Sequence, residues 1–84
     1  MKDPLEDLRD NEKRSATLSN GEKLYLYEVG HLYLTVGKKP EEKQIAIVKF
    51  DTIGYLNKPY ITYTDNKTLI SEDIYIDEFK KENK

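Results

Sequence analysis

Apolar residues run almost without interruption in one stretch of the chain, from Gln44 to Asp51. If this stretch is extended, Ile45 and Ile47 point to one face. Val48 and Phe50 then point to the opposite face. Apolar side chains on both faces are typical of a strand that is buried on both sides. The pattern therefore predicts a central strand, with the other elements packed around it.

A hairpin is predicted at Asn20-Gly21, the strongest turn signal in the chain. A type I′ turn needs two residues that tolerate positive φ, and this pair meets the requirement. The turn would join a first strand, about 15–19, to a second, about 22–29. Because the first strand has little to bury beyond Ala16 and Leu18, we expect it at a sheet edge.

Leucines and tyrosines alternate through residues 22–37, interrupted at Gly30. A three-residue turn at 29–31 would set Leu26 opposite Leu34 and Leu24 opposite Val36. The face shared by Tyr25, Tyr27, Tyr33 and Thr35 would then be separate from the core. A two-residue turn at Gly30-His31 would mix leucines and tyrosines on both faces, since a one-residue slip inverts every side chain. We prefer the first register because it separates core from non-core positions.

The remaining segments complete a single predicted domain of residues 1–79. Asp3, Pro4 and Glu6 are a helix-start signal, so we expect a short helix over about 4–13 that buries Leu5 and Leu8. Residues 51–59 are predicted to be an irregular loop that folds partly back onto the core. A strand at 60–64 and a short strand at 74–76, followed by a helical turn, come next, and residues 80–84 are expected to be a mobile polar tail.

The fold class that follows is mainly β, at most α+β. It is a small antiparallel sheet or an SH3-like, partly closed barrel of about five to six short strands. The second alternative rests on residues 45–76, whose short strands and tight turns are loosely similar to a small SH3-type barrel. The predicted core consists of Leu24, Leu26, Leu34, Ile47, Val48, Phe50, Ile61 and Ile74.

Composition limits what a domain of this size can bury. The chain has 84 residues, of which 37% are hydrophobic and 36% charged, so the core is lean. Such a domain is either marginally stable or covers apolar surface with a partner or a second copy. The first residues contain no signal-like apolar run and no stretch is long enough to span a membrane, so we expect a cytoplasmic protein without membrane contact.

Candidate chemistry is sparse. The chain has no cysteine, which excludes disulfides and thiolate sites, and its single histidine, His31, lies in a predicted turn. The acidic residues at 72–78 lack the alternating ligands and central glycine of a calcium loop. We find no phosphate-binding loop and no nucleophile motif. The sequence therefore predicts no catalytic, cofactor-binding or metal-binding residues, and a protein that is not an enzyme.

Tyrosine is the one enriched residue type that suggests a site. Seven tyrosines occur in a chain without tryptophan. They suit strands, where they cover a sheet face and keep their hydroxyls in water, and they are also favoured at protein interfaces and in base stacking. The candidate contact surface consists of Tyr25, Tyr27 and Tyr33 with two nearby lysines, Lys23 and Lys49.

The functional hypothesis is a small non-enzymatic binding module that acts on an unidentified protein partner. Frequent residues with AT-rich codons suggest a low-GC bacterium or its phages, so a phage- or prophage-encoded inhibitor or accessory protein of a host nucleic-acid-handling enzyme is one form of it. The alternative is a nucleic-acid-binding barrel that uses the tyrosines and lysines, although the net charge of −2 argues against it. A homodimer through the tyrosines or through the strand at 15–19 is also expected.

Overall fold

The computed structural model describes residues 13–30 and 32–82, which form two antiparallel sheets. The five-stranded sheet has the order β4-β3-β2-β1-β8 and contains β1 (Arg14–Thr17), β2 (Lys23–Gly30), β3 (Tyr33–Gly37), β4 (Gln44–Ile47) and β8 (Lys80–Lys81). The three-stranded sheet has the order β5-β6-β7 and contains β5 (Lys49–Ile53), β6 (Leu56–Thr64) and β7 (Ser71–Tyr75). Single 3₁₀ turns lie at Pro40–Glu42 and Ile76–Glu78.

The prediction of a mainly β fold with antiparallel sheets is confirmed, and the described strands do not close into a barrel. The predicted N-terminal helix over about 4–13 and the histidine at position 31 lie outside the described residues. The strand near 74–76 and the helical turn after it correspond to β7 and the 3₁₀ turn at Ile76–Glu78.

One hydrophobic core receives side chains from both sheets. Its largest fully buried members are Leu24, Leu34 and Val36 from the five-stranded sheet and Ile61 and Ile74 from the three-stranded sheet. In β6 and β7 the buried Ile61, Tyr63 and Ile74 alternate with more exposed residues, whereas β3 is buried continuously from Leu34 to Gly37. The chain is therefore two thin layers around a small common interior.

The prediction of a central, doubly buried strand at Gln44–Asp51 is wrong. The stretch is divided into β4 and β5, which are edge strands of different sheets. Val48 joins them, is buried, and donates its backbone N–H to the Leu32 carbonyl over 3.0 Å. Ile47 lies on the outer side of its sheet and is 66% exposed. Phe50 pairs with Pro59 on the same side as the buried Ile61, but it is 53% exposed. Neither belongs to the core.

The pairing of β2 with β3 differs from both predicted registers. Gly30 pairs with Tyr33, so the turn is one residue further along the chain than expected. A β-bulge at Tyr27 shifts the register once, so that Leu26 pairs with Val36 before the bulge and Val29 with Leu34 after it. Because of the extra residue, the apolar residues before the bulge and those after it both face the core. Neither predicted register contained it.

The Asn20-Gly21 turn forms where predicted, but not as type I′. Gly21 donates its N–H to the Leu18 carbonyl over 3.0 Å, and Leu18 donates to the Glu22 carbonyl over 2.7 Å. Gly21 has a φ of +89°, and Asn20 does not have a positive φ. This is a three-residue loop that ends in a left-handed glycine, the usual alternative to the two-residue turn.

The first strand is not a free edge along its whole length. Lys80 and Lys81 form β8 and pair with Ser15 and Arg14, respectively, while Ala16 and Thr17 have a partner strand only in β2. The polar tail predicted at 80–84 is therefore corrected for its first two residues. The backbone of the two lysines covers one end of the β1 edge. Their polar side chains gave no indication that they would form a strand.

The irregular loop predicted at 51–59 is a β-hairpin. Ile53 pairs with Leu56, and Gly54 has a φ of +62°, which the first position of a type II′ turn requires. Ile53, Tyr55 and Leu56 are all exposed, so none folds back onto the core. Pro59 suggested a loop because proline has no N–H to donate to a neighbouring strand. In the structure, Pro59 has only β5 as a neighbour, since β7 pairs with β6 only from Tyr60 onward. A missing donor is tolerated where no strand lies on the other side.

We expect Leu34→Ala to lower the free energy of unfolding by about 2–5 kcal/mol, because it leaves a cavity in a fully buried site. Phe50→Ala should lower it by only about 1 kcal/mol, because much of that ring is already in water. Urea denaturation of the two variants measures both values. Equal losses would mean that Phe50 belongs to the core after all.

Candidate interaction surface

The outer side of the five-stranded sheet carries an aromatic and aliphatic surface, which we call the tyrosine face. It consists of Tyr25, Tyr27 and Tyr33 from β2 and β3, and Ile45 and Ile47 from β4. Tyr33 pairs directly with Ile47, and paired residues in antiparallel strands point to the same side. Their neighbours Leu34 and Ala46 point into the core, so the tyrosine face is turned away from it.

Much of this face is in contact with water. Ile45 is 74% exposed, Ile47 is 66% exposed and Tyr33 is 42% exposed. Tyr25 and Tyr27 are half-buried, and Thr35, which lies on the same side of the sheet, is buried. The hydroxyls of these three tyrosines form no hydrogen bond with any described residue. With respect to that part of the chain, they can bond to water or to another molecule.

Gly30 determines where the ring of Tyr33 lies. The two residues are a cross-strand pair, and a Cβ atom added to Gly30 would overlap the end of the Tyr33 ring. The aromatic ring therefore lies across the bare backbone of β2. A glycine in a strand often marks such a close approach. The ring is the flexible part of this contact, so a side chain at position 30 would displace the ring and not the strand.

Charged groups of both signs border the tyrosine face. The Lys13 Nζ atom lies 4.6 Å from the ring centre of Tyr25, and the Lys43 Nζ atom lies 5.8 Å from that of Tyr27. Burial raises the pKa of the Tyr27 hydroxyl, and the negative charges of Glu41 and Glu42 raise this pKa further. The border is therefore mixed, and no single sign of charge dominates it.

The structure brings four of the five predicted contact residues to one side of one sheet. Tyr25, Tyr27, Tyr33 and Lys23 share the outer side of β2 and β3, and the Lys23 Nζ atom lies 3.4 Å from the Glu82 carboxylate. Lys49 is in β5, opposite Tyr60, and so belongs to the other sheet.

The sequence interpretation missed the two isoleucines of β4. Their alternation with Ala46 and Val48 was visible, but it was assigned to a strand buried on both faces. Only the tertiary structure shows that nothing among the described residues covers one face of β4. Lys13 and Lys43 were missed as well, since nothing local to them indicates which ring they would contact.

A second tyrosine pair has a different environment. Tyr60 and Tyr75 lie on the outer side of the three-stranded sheet with their ring centres 5.9 Å apart. Tyr75 donates its hydroxyl to Asp51 over 3.0 Å, and the Lys58 Nζ atom lies 4.7 Å from the Tyr75 ring centre. The hydrogen bond to Asp51 is the main reason that the pKa of Tyr75 is raised. Intramolecular contacts already satisfy the polar end of Tyr75, in contrast to the tyrosine face.

A polar groove, which we call the end groove, lies where the β1–β2 turn meets the loop between β6 and β7. It has a volume of about 370 Å³. The Lys38 Nζ atom lies 2.7 Å from the Asp65 carboxylate and 3.4 Å from that of Glu22, so one ammonium joins three parts of the chain. The groove is lined by Leu18, Ser19, Asn20, Glu22, Lys38, Tyr63, Asp65, Lys67, Thr68, Ile70 and Glu72.

Asp65 is the electrostatic centre of this end. The hydrogen bond from Lys38, followed by backbone donation from Lys67 and Thr68, lowers the pKa of the Asp65 carboxyl to about 2. In the same pair, the hydrogen bond to Asp65 raises the pKa of Lys38. Both shifts favour the charged forms, so the pair is an ion pair at neutral pH.

Comparison with known protein families, curated proteins and solved structures finds no match to this chain. In the part of the chain that the structure describes, no helix is long and apolar enough to cross a bilayer. Within the same residues, no three His, Cys, Asp or Glu side chains are grouped so that they could hold a metal ion. The tyrosine face and the end groove are the two candidate sites that we consider further.

We expect Asp65→Asn to lower the free energy of unfolding at neutral pH. The folded-state pKa is depressed, so the contribution of Asp65 is present above its unfolded value of 3.8 and is lost as the pH falls toward about 2. The difference between the variant and the unmodified protein should therefore shrink between pH 4 and pH 2. Denaturant unfolding at several pH values measures it.

Asp77→Asn is the matched control, because Asp77 forms an exposed ion pair with Lys58 over 3.3 Å. Exposed pairs contribute little, so this variant should differ little from the unmodified protein at any pH. A loss in Asp65→Asn that is the same at pH 2 as at pH 7 would contradict the role assigned to the Asp65 charge.

Proposed function

We propose that this protein is a small, non-enzymatic binding module and that the tyrosine face is its contact surface for another protein. One observation carries the proposal. Ile45, Ile47 and Tyr33 are exposed side by side on one face, beside the half-buried Tyr25 and Tyr27. Contiguous apolar surface with tyrosine is characteristic of interaction sites, whereas isolated exposed apolar residues are ordinary.

The energetics favour an occupied face. Covering a largely exposed isoleucine contributes about 1–2 kcal/mol, and Ile45 and Ile47 are both available. Tyrosines that are already half-buried lose little side-chain freedom on binding, and their hydroxyls can bond to a polar partner. An apolar centre with polar atoms and charges at its border is the usual composition of a protein interface.

Charge distribution supports a protein partner more than a nucleic acid. Glu41 and Glu42 act on the Tyr27 hydroxyl, Lys23 is paired with Glu82, and Lys49 is on the other sheet. Phosphate backbones bind surfaces on which positive charge is concentrated. A phage- or prophage-encoded inhibitor or accessory protein of a host nucleic-acid-handling enzyme is one form of this proposal, and it rests on the size and the amino-acid composition of the chain.

Capture of a partner from a low-GC bacterial lysate tests the proposal when variants are compared. We expect Ile47→Glu to abolish capture, because it places a charge on the face directly beside Tyr33. Leu69→Glu is the matched control, since Leu69 is 75% exposed in the loop between β6 and β7, away from the face. It should capture the same partner as the unmodified protein. Quantitative mass spectrometry of the retained proteins measures the difference.

Two further measurements accompany this experiment. Light scattering over a concentration series shows whether the partner is a second copy of the chain, in which case Ile47→Glu should be monomeric. Fluorescence anisotropy with oligonucleotides at low salt tests the nucleic-acid alternative, for which salt should strongly weaken binding. A partner retained equally by Ile47→Glu and Leu69→Glu would show that the tyrosine face is not the contact surface.

Gly30→Ala should weaken partner binding without adding a charge. The new methyl group occupies the space of the Tyr33 ring and displaces it from the face. The free energy of unfolding should change little, because the displaced atoms are the end of a flexible side chain. Titration of the purified partner, with unfolding measured in parallel, separates the two effects. Unchanged affinity would exclude Tyr33 from the interface.

A further inference from the structure

The end groove holds more negative than positive charge. Glu22, Asp65 and Glu72 line it, opposed by Lys38 and Lys67. Lys38 is already shared between Asp65 and Glu22. No ion pair joins Glu72 to a cation among the described residues, and both of its carboxylate oxygens accept the Ser19 backbone N–H, over 3.1 and 3.0 Å. Among the described residues, one carboxylate of the groove therefore has no counter-ion.

Tyr63 supplies an independent observation at the same place. Its side chain is only 3% exposed, and it lines the groove from the core side. Its hydroxyl forms no hydrogen bond with any described residue, and it is not a buried, unsatisfied atom, which places it at the open side of the groove. Burial of the side chain raises the pKa of this hydroxyl, and the charges of Lys38 and Asp65 also act on it. The hydroxyl therefore lies near the charged groups of the groove, where it can accept a hydrogen bond from a bound molecule.

These two observations define the class of ligand. An anion would meet three carboxylates and two ammonium groups, of which that of Lys38 is already doubly paired. A metal ion is disfavoured because the described acidic side chains do not form a group of three that could hold one. An organic cation meets the Glu72 carboxylate, which already accepts the Ser19 N–H but has further acceptor capacity, and a phenolic oxygen that can accept a hydrogen bond. Leu18 and Ile70 add apolar wall for an aliphatic stem.

We propose that the end groove binds an ammonium or guanidinium group on an aliphatic stem, with Glu72 as its counter-ion and the Tyr63 hydroxyl as a hydrogen-bond acceptor. A volume of about 370 Å³ lies in the range of pockets for small ligands. Such a cation is either a free amine or the lysine or arginine side chain of a peptide. The site lies apart from the tyrosine face and does not depend on the function proposed for that face.

Titration of the isotope-labelled protein with n-butylammonium, agmatine and a blocked Gly-Arg-Gly peptide tests the proposal by NMR. Saturable shifts are expected at the amides of Ser19, Tyr63 and Glu72, and butyrate should cause none. Added salt should weaken binding, because the groove is open to solvent. Tighter binding of the peptide than of agmatine identifies a protein side chain as the source, and equal or weaker binding identifies a free amine.

Variants of opposite sign separate binding from damage to the fold. Glu72→Gln should weaken binding about tenfold and Tyr63→Phe about fivefold, the usual effects of losing a charged and a neutral hydrogen-bond partner. Lys67→Gln should strengthen binding about twofold, because it removes a competing positive charge from an exposed loop. Disturbed folding cannot produce a gain in affinity.

Tyr75→Phe is the matched control, since it removes a tyrosine hydroxyl that bonds to Asp51 on the other side of the three-stranded sheet. Its affinity should equal that of the unmodified protein. Absence of saturable shifts with all three cations overturns the proposal. Binding that Glu72→Gln and Lys67→Gln leave unchanged overturns it as well, because the cation would then lie elsewhere.

Discussion

The rest of the structure depends on one constraint: the chain passes directly from β4 in one sheet to β5 in the other. At Val48 the chain leaves the edge of the five-stranded sheet and enters the edge of the three-stranded sheet. Val48 is buried, and its hydrogen bond to Leu32 continues the β3–β4 pairing up to the point where the chain changes sheet. No described element covers the outer side of β4, so Ile45 and Ile47 are exposed there. The stretch that contributes Val48 to the core thus also carries exposed apolar side chains.

The two candidate sites differ in chemistry because they arise from different parts of this architecture. The tyrosine face is the uncovered side of a sheet, so its contacts are apolar and its polar atoms lie at the ring ends. The end groove forms where turns and loops from both sheets meet, so backbone donors and charged side chains gather there. A domain with so lean a core has few apolar residues to spare. Several of them nevertheless remain on one outer face, and this is the observation on which the proposed contact rests.

Local irregularities decide which side chains reach these sites. The bulge at Tyr27 changes the pairing register once, and this keeps Leu24 and Leu34 inside while Tyr25 and Tyr33 remain outside. Without the extra residue, one half of the hairpin would present its leucines to solvent. The bulge thus determines which side chains reach the tyrosine face, and the bare backbone of Gly30 determines where the Tyr33 ring lies on it.

The sequence by itself determined the elements that depend on neighbouring residues. The alternation of apolar and polar residues with a period of two predicted the mainly β fold, the strand at 60–64 and the separation of leucines from tyrosines. The pair Asn20-Gly21 predicted the position of the first turn. Only the tertiary structure decided which strands lie at edges, because pairing partners are distant in the chain. Ile47 therefore became surface, Lys49 went to the other sheet, and the groove joined Lys38 to Asp65 across 27 positions. Local patterns show which side chains share a face, whereas burial depends on what packs against that face.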